Sequence, residues 1–161
     1  MNRLLTALAL LGCVAGPASA QERGFETVVA LRPFVDIAPP DQWAPVANAL
    51  RRDGLWPIFD ELGIDLTPRN VHAAVVDMIA GGQPELIVSF RQGCGNSGCW
   101  TYLLEVQNGT WQIINNTVLP DVFRVWRNPG ETHSTISGYR HGLYWNGAAW
   151  VQFCTDTLYC G

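Results

Sequence analysis

ELIVSFRQGCGNSGCWTYLLEVQNGTWQII, residues 85–114, holds three β-prone runs, and the way they pair decides the fold. Glu85, Leu86, Ile87, Val88, Ser89 and Phe90 make a short run of apolar and β-favouring residues, the pattern of a strand buried on both faces. A glycine-rich loop closed by Cys94 and Cys99 comes next. The chain leaves it with Trp100, Tyr102, Leu104 and Val106 on one face at period two. Asn108-Gly109 then separates this run from Trp111, Gln112, Ile113 and Ile114. An Asn-Gly pair between β-rich runs signals a hairpin, because a type I′ turn needs positive φ at both central residues. Three consecutive strands are therefore predicted to pair antiparallel.

Working outward, residues 71–79 alternate as a further strand, and Gly81-Gly82-Gln83-Pro84 turns the chain into residue 85. Upstream, residues 27–31 and 34–37 read as edge strands or extended segments cut short by Pro33, Pro39 and Pro40. Two short helices lie between. In the first, Asp41 is the expected N-cap, and Val46, Ala49 and Leu50 form a stripe opposite Arg51 and Arg52. The second covers residues 57–62, with Ile58, Phe59 and Leu62 inward and Gly63 as the C′ residue. Downstream, residues 122–126, 134–138, 142–145 and 148–153 read as strands, with a second Asn-Gly turn at Asn146-Gly147. The predicted fold class is α+β: two short N-terminal helices packed on a mainly antiparallel sheet of six to eight strands.

Residues 1–20 carry Arg3, an apolar segment too short to span a bilayer, and the small-residue site Ala18-Ser19-Ala20, the marks of a secretory signal. Cleavage after Ala20 leaves residues 21–161 as a single domain. Leu10-Leu11-Gly12-Cys13 also resembles a lipobox, so lipidation at Cys13 stays an alternative. The chain has ten arginines and no lysine against fourteen acids. With no basic stripe, it lacks the electrostatic footprint of a nucleic-acid binder. After the signal, no apolar run is long enough for a membrane span. Periplasmic or secreted localisation is expected.

Cys94, Cys99, Cys154 and Cys160 form an even set suited to an oxidising compartment. Their spacing favours two local bridges over cross-pairing between the clusters. It is less suited to zinc, which usually takes tighter pairs.

Three pieces together resemble a loose group of small exported bacterial proteins: a turn of the DxNxDGxxE type, at Asp77 to Glu85; a CGxxGC loop, at Cys94-Gly95-Asn96-Ser97-Gly98-Cys99; and a YxWxG hairpin, at Tyr144-Trp145-Asn146-Gly147. The resemblance spans about half of residues 21–161 and implies no activity. In the turn, Ile79 and Gly81 stand where oxygen ligands for calcium would be needed. It therefore reads as a glycine-rich hairpin, and no metal or other cofactor is expected.

Gly95-Asn96-Ser97-Gly98 is similar to the nucleophile segment of chymotrypsin-like proteases, whose mechanism needs a histidine base steadied by a carboxylate. Only His72 lies upstream, in no matching motif, so the glycines, Asn96 and Ser97 read as the makings of a tight loop. His133 and His141 have no nearby third ligand. The aromatic excess in the second half says more. Neighbouring side chains on a strand point to opposite faces, so residues such as Tyr144 and Trp145 cannot all be buried on one side. The leading expectation is a binding or accessory module, more binder than enzyme, engaging or inhibiting an envelope protein through residues 93–100. Its candidate binding residues are Arg91, Asn96, Ser97, Trp100, Arg140 and Trp145. A glycan-binding module using exposed tryptophans is the alternative, and a hydrolase with an unrecognised site is the third. The SGxxY motif of periplasmic lysozyme inhibitors is not met, because Ser137-Gly138 is followed three residues on by His141.

Overall fold

The computed structural model describes residues 24–52, 56–63, 65–96 and 98–154. The predicted signal at residues 1–20, Ser97 and Cys160 lie outside them. Along the chain run β1 (Phe25–Ala30), β2 (Arg32–Pro33), α1 (Trp43–Arg52), α2 (Trp56–Glu61), β3 (Val71–Val76), β4 (Glu85–Gly95), β5 (Gly98–Gln107), β6 (Thr110–Leu119), β7 (Val122–Arg127), β8 (Thr135–Ser137), β9 (His141–Trp145) and β10 (Trp150–Cys154).

The antiparallel, sheet-dominated architecture agrees with the sequence reading, but the single sheet of six to eight strands does not. Among the described residues ten strands form two five-stranded sheets, ordered β2-β3-β4-β5-β6 and β1-β7-β8-β9-β10. The switch falls at Pro120 and Asp121, between β6 and β7. Pro120 has no N–H to continue a ladder, and the Asp121 carbonyl accepts instead from the Leu31 amide at 2.8 Å. β7 then pairs with β1 rather than returning to β6.

β4 lies at the centre of the first sheet, and its first six residues, 85–90, are buried on both faces. Leu86, Val88 and Phe90 join Tyr102 and Leu104 in a core under α1, to which the helix gives Val46, Ala49 and Leu50 and α2 gives Phe59. Ile87 and Leu103 face the other way, into a second core with Phe123, Val125, Ile136 and Leu143 of the second sheet. The layers are thus helix, first sheet, second sheet. A ten-residue helix spans only ~15 Å, whereas a ten-residue strand runs ~33 Å. Trp100 and Val106, at the two ends of β5, are accordingly left 46% and 37% exposed while Tyr102 and Leu104 between them are buried.

Several local expectations change. Phe34–Asp36, expected to be extended, is a 3-10 turn that buries Phe34. α1 is entered through a 3-10 turn at Pro40–Gln42 without a side-chain cap, so Asp41 is not its N-cap. Of the three residues expected inward at α2, Phe59 is buried and Ile58 and Leu62 are exposed. Gly63 takes the expected left-handed conformation, φ 67°. Asn108 and Gly109 have φ of 52° and 76°, the predicted type I′ pair. Asn146-Gly147 forms a longer connection: Trp145 pairs with Trp150, and the Asn146 side chain accepts from the amides of Ala148 and Ala149 at 3.0 and 2.9 Å. This Asx geometry needs no left-handed asparagine.

The turn from Asp77 to Glu85 is held by the protein's own groups. Asp77 pairs with the buried guanidinium of Arg127 at 2.8 Å, and one oxygen of buried Glu85 accepts the Met78 amide at 2.7 Å. The other Glu85 oxygen is buried without a hydrogen-bond partner. No helix among the described residues is long and apolar enough to cross a membrane. That fact and the Cys94–Cys99 disulfide are compatible with an exported protein.

Burial, opposed by the Met78 amide, raises the Glu85 carboxyl above its ordinary 4.5. Between the unfolded and folded values the native state holds the extra proton, so its stability falls as pH rises through that window. Glu85→Gln keeps an acceptor for Met78 without the buried charge. Thermal melts are expected to show no difference from the parent near pH 4 and a rising advantage for the variant towards pH 7. A difference that does not vary with pH would rule this out.

Candidate functional site

The β4–β5 hairpin projects beyond the sheet as a finger. Ser89 pairs with Thr101 and Cys94 with Cys99, but four residues separate Ser89 from Cys94 while only Trp100 separates Cys99 from Thr101. A bulge of this kind bends the strand and re-aims the tip. Past the bulge, Cys94 and Cys99 are joined by a disulfide. Gly98 has φ 129°, and a side chain there would bring its Cβ to 2.6 Å from the Leu119 carbonyl oxygen. Only glycine fits the finger's seat. Cys154 is also disulfide-bonded.

Residues 91–96 are all exposed. Beside them a groove of about 530 Å³ is lined by Arg91, Asn96, the disulfide, Pro120, Asp121 and Tyr139. The Arg91 guanidinium lies 3.4 Å from the Asp121 carboxylate, both well exposed, so solvent screens the pair and it contributes little to stability. Tyr139, in the β8–β9 turn, is 74% exposed, and the Arg140 guanidinium lies 5.6 Å from its ring centre. That turn is packed against the loop after β6: a side chain on Gly138 would collide with the Pro120 ring. Trp100 is exposed on the finger's other flank, on the face of β5 that carries Tyr102 and Leu104.

Of the residues the sequence proposed for binding, Arg91, Asn96, Trp100 and Arg140 fall at this end of the molecule, and Ser97 lies outside the described residues. Trp145 does not join them. β9 starts beside the finger end, where the Gly138 amide bonds the His141 carbonyl at 2.8 Å, and carries Trp145 to the opposite end. There its ring stacks on His133, centroids 4.4 Å apart and 8° from parallel, with Trp150 edge-on at 5.6 Å. Sequence reasoning missed Pro120 and Asp121. Their one local signal was a proline between two β-rich runs, which says nothing about which loop they adjoin.

The histidines do not assemble a catalytic cluster. His72 lies on the inner face of β3, 8% exposed, in a row of buried polar residues whose cross-strand partners are Ser89, Thr101 and Thr117. Burial, reinforced by Arg91, lowers its pKa, and its Nδ1 has no hydrogen-bond partner. His133 Nδ1 lies 2.8 Å from the Thr132 hydroxyl, and burial followed by Arg127 lowers its pKa as well. His141 Nδ1 meets the Gln152 amide at 3.4 Å. Among the described residues no group of His, Cys, Asp and Glu could hold a metal ion.

Set against protein-family models, characterised proteins and solved structures, the chain matches none significantly.

Proposed function

We propose that this protein binds a protein partner in the cell envelope, as an accessory factor or inhibitor, through the finger and the groove beside it. The observation that carries this reading is the contrast between the finger's fixed base and its open flank. Residues 91–96 are exposed, while the disulfide and the Gly98 seat hold their base. A knob ordered before binding loses less conformational freedom when it docks. Tyrosine, tryptophan and arginine dominate interface hot spots, and this end presents Tyr139, Trp100 and Arg91. The screened Arg91–Asp121 pair exchanges partners at little cost.

Immobilised protein is expected to retain one protein from an envelope extract. Tyr139→Ala and Arg91→Ala should each weaken that complex about tenfold or more, the cost of losing a hot-spot side chain, and Trp145→Ala should not. Capture that survives both substitutions, or that depends on Trp145, would sink the reading.

The disulfide makes a second test. Its loop is short, so the chain-entropy estimate of its contribution is only about 2 kcal/mol. Replacing both Cys94 and Cys99 with serine should lower the melting temperature modestly and leave the fold intact. Partner affinity should fall further than stability does, read by comparing dissociation constants with thermal melts. Unchanged affinity would mean that the staple serves the fold alone.

A further inference from the structure

The second sheet turns one face to the core and the other away from it. On the outward face the cross-strand register builds two rows. One runs Val28, Arg124, Ser137, Gly142, Phe153. The other joins Glu26 to Trp126 and Trp126 to Thr135, with Tyr144 opposite Val151 farther across the sheet. Trp126, Tyr144, Val151 and Phe153 belong to neither hydrophobic core. A trough results along β8. Its floor is the hydroxyls of Thr135 and Ser137, bordered by the Phe153 ring where it covers the backbone of Gly142. Its walls are Trp126 and Arg124 from β7 and Tyr144 from β9, strands roughly 9.5 Å apart at twice the usual spacing. Hollows of about 430 and 310 Å³ open at its two ends, the first lined by Arg124, Ser137 and Tyr139, the second by Thr135, Tyr144 and Glu131 together with His133 and Trp145.

We propose that this trough binds a neutral oligosaccharide. The β8 backbone is already paired on both sides, with β7 and with β9, so an extended peptide would find no main-chain partners there. A floor of hydroxyls suits a protein's apolar patch poorly, since interface centres are the driest and most apolar part. Pyranose rings offer the complementary chemistry: an apolar C–H face for an aromatic wall and hydroxyls for Thr135, Ser137 and Arg124. The charges favour a neutral ligand. Arg124 is paired with Glu26 at 3.2 Å, and Glu131, at the far end, is hydrogen-bonded by the Asn128 amide and side chain. Phe153 lies over Gly142, where any side chain would strike its ring, and meets Tyr144 edge-on at 5.9 Å, bracing that wall from behind.

The test is an NMR titration of the full chain with cellotetraose and, separately, with the tetramer of N-acetylglucosamine. At least one should produce saturable shifts at the Trp126 indole N–H and the β8 amides at millimolar concentration. Trp126→Ala and Tyr144→Ala should each weaken binding about tenfold. Thr135→Val, nearly isosteric, should weaken it severalfold with an unchanged amide spectrum, which separates lost recognition from lost folding. The variant with serines at positions 94 and 99 should bind as the parent does, so failure here is distinct from failure of the finger reading. No saturable shift with either sugar, or shifts confined to residues 91–96, would overturn the proposal.

Discussion

Burial of residues 85–90 of β4 on both faces is the constraint the rest of the structure satisfies. Leu86, Val88 and Phe90 require a cover on one side and Ile87 on the other. A sheet with two apolar faces cannot stand as one layer in water. α1 supplies the first cover and the second sheet the other. Because the second cover is itself a sheet, its own far side is left outward, and the exposed aromatic trough arises from the same requirement that buries β4.

The two ends of the inter-sheet space are polar in different ways. At the finger end His72, Ser89, Thr101 and Thr117 lie side by side across four strands. Ser89 and Thr101 hydrogen-bond carbonyls of β5. At the opposite end Glu85 and Arg127 are buried and tied into the turn after β3. Here the Arg127 guanidinium is the cation facing Asp77, and Glu85 serves a backbone amide. Apolar packing holds the middle and polar groups hold the rims, so the loops that leave each rim start from fixed positions.

The finger depends on those fixed positions. Its bulge bends the hairpin away from the sheet, and its seat on the Leu119 carbonyl works only because residue 98 is glycine. The groove beside it is assembled from three separate connections: the β4–β5 tip, the loop after β6, and the β8–β9 turn. Each is near the others because β6 ends, β7 begins and β8 ends at the same rim of the sandwich.

The sequence by itself determined what local chemistry can dictate. The apolar run of residues 85–90 and the alternation of residues 100–106 placed the buried parts of β4 and β5 and their antiparallel pairing, and Asn108-Gly109 set a type I′ turn because only such residues accept positive φ twice in succession. The cysteine spacing favoured the local Cys94–Cys99 bridge that closes the finger. Tertiary structure decided the rest. Nothing local distinguishes one alternating strand from another as a partner, so the split into two sheets, and the pairing of β1 with β7 that brings Glu26 to Arg124 across 98 residues, were not legible. For the same reason Trp145 looked as available as Trp100. Whether an aromatic ring is core, wall or knob depends on which layer covers it, and that cover comes from residues far away in the chain.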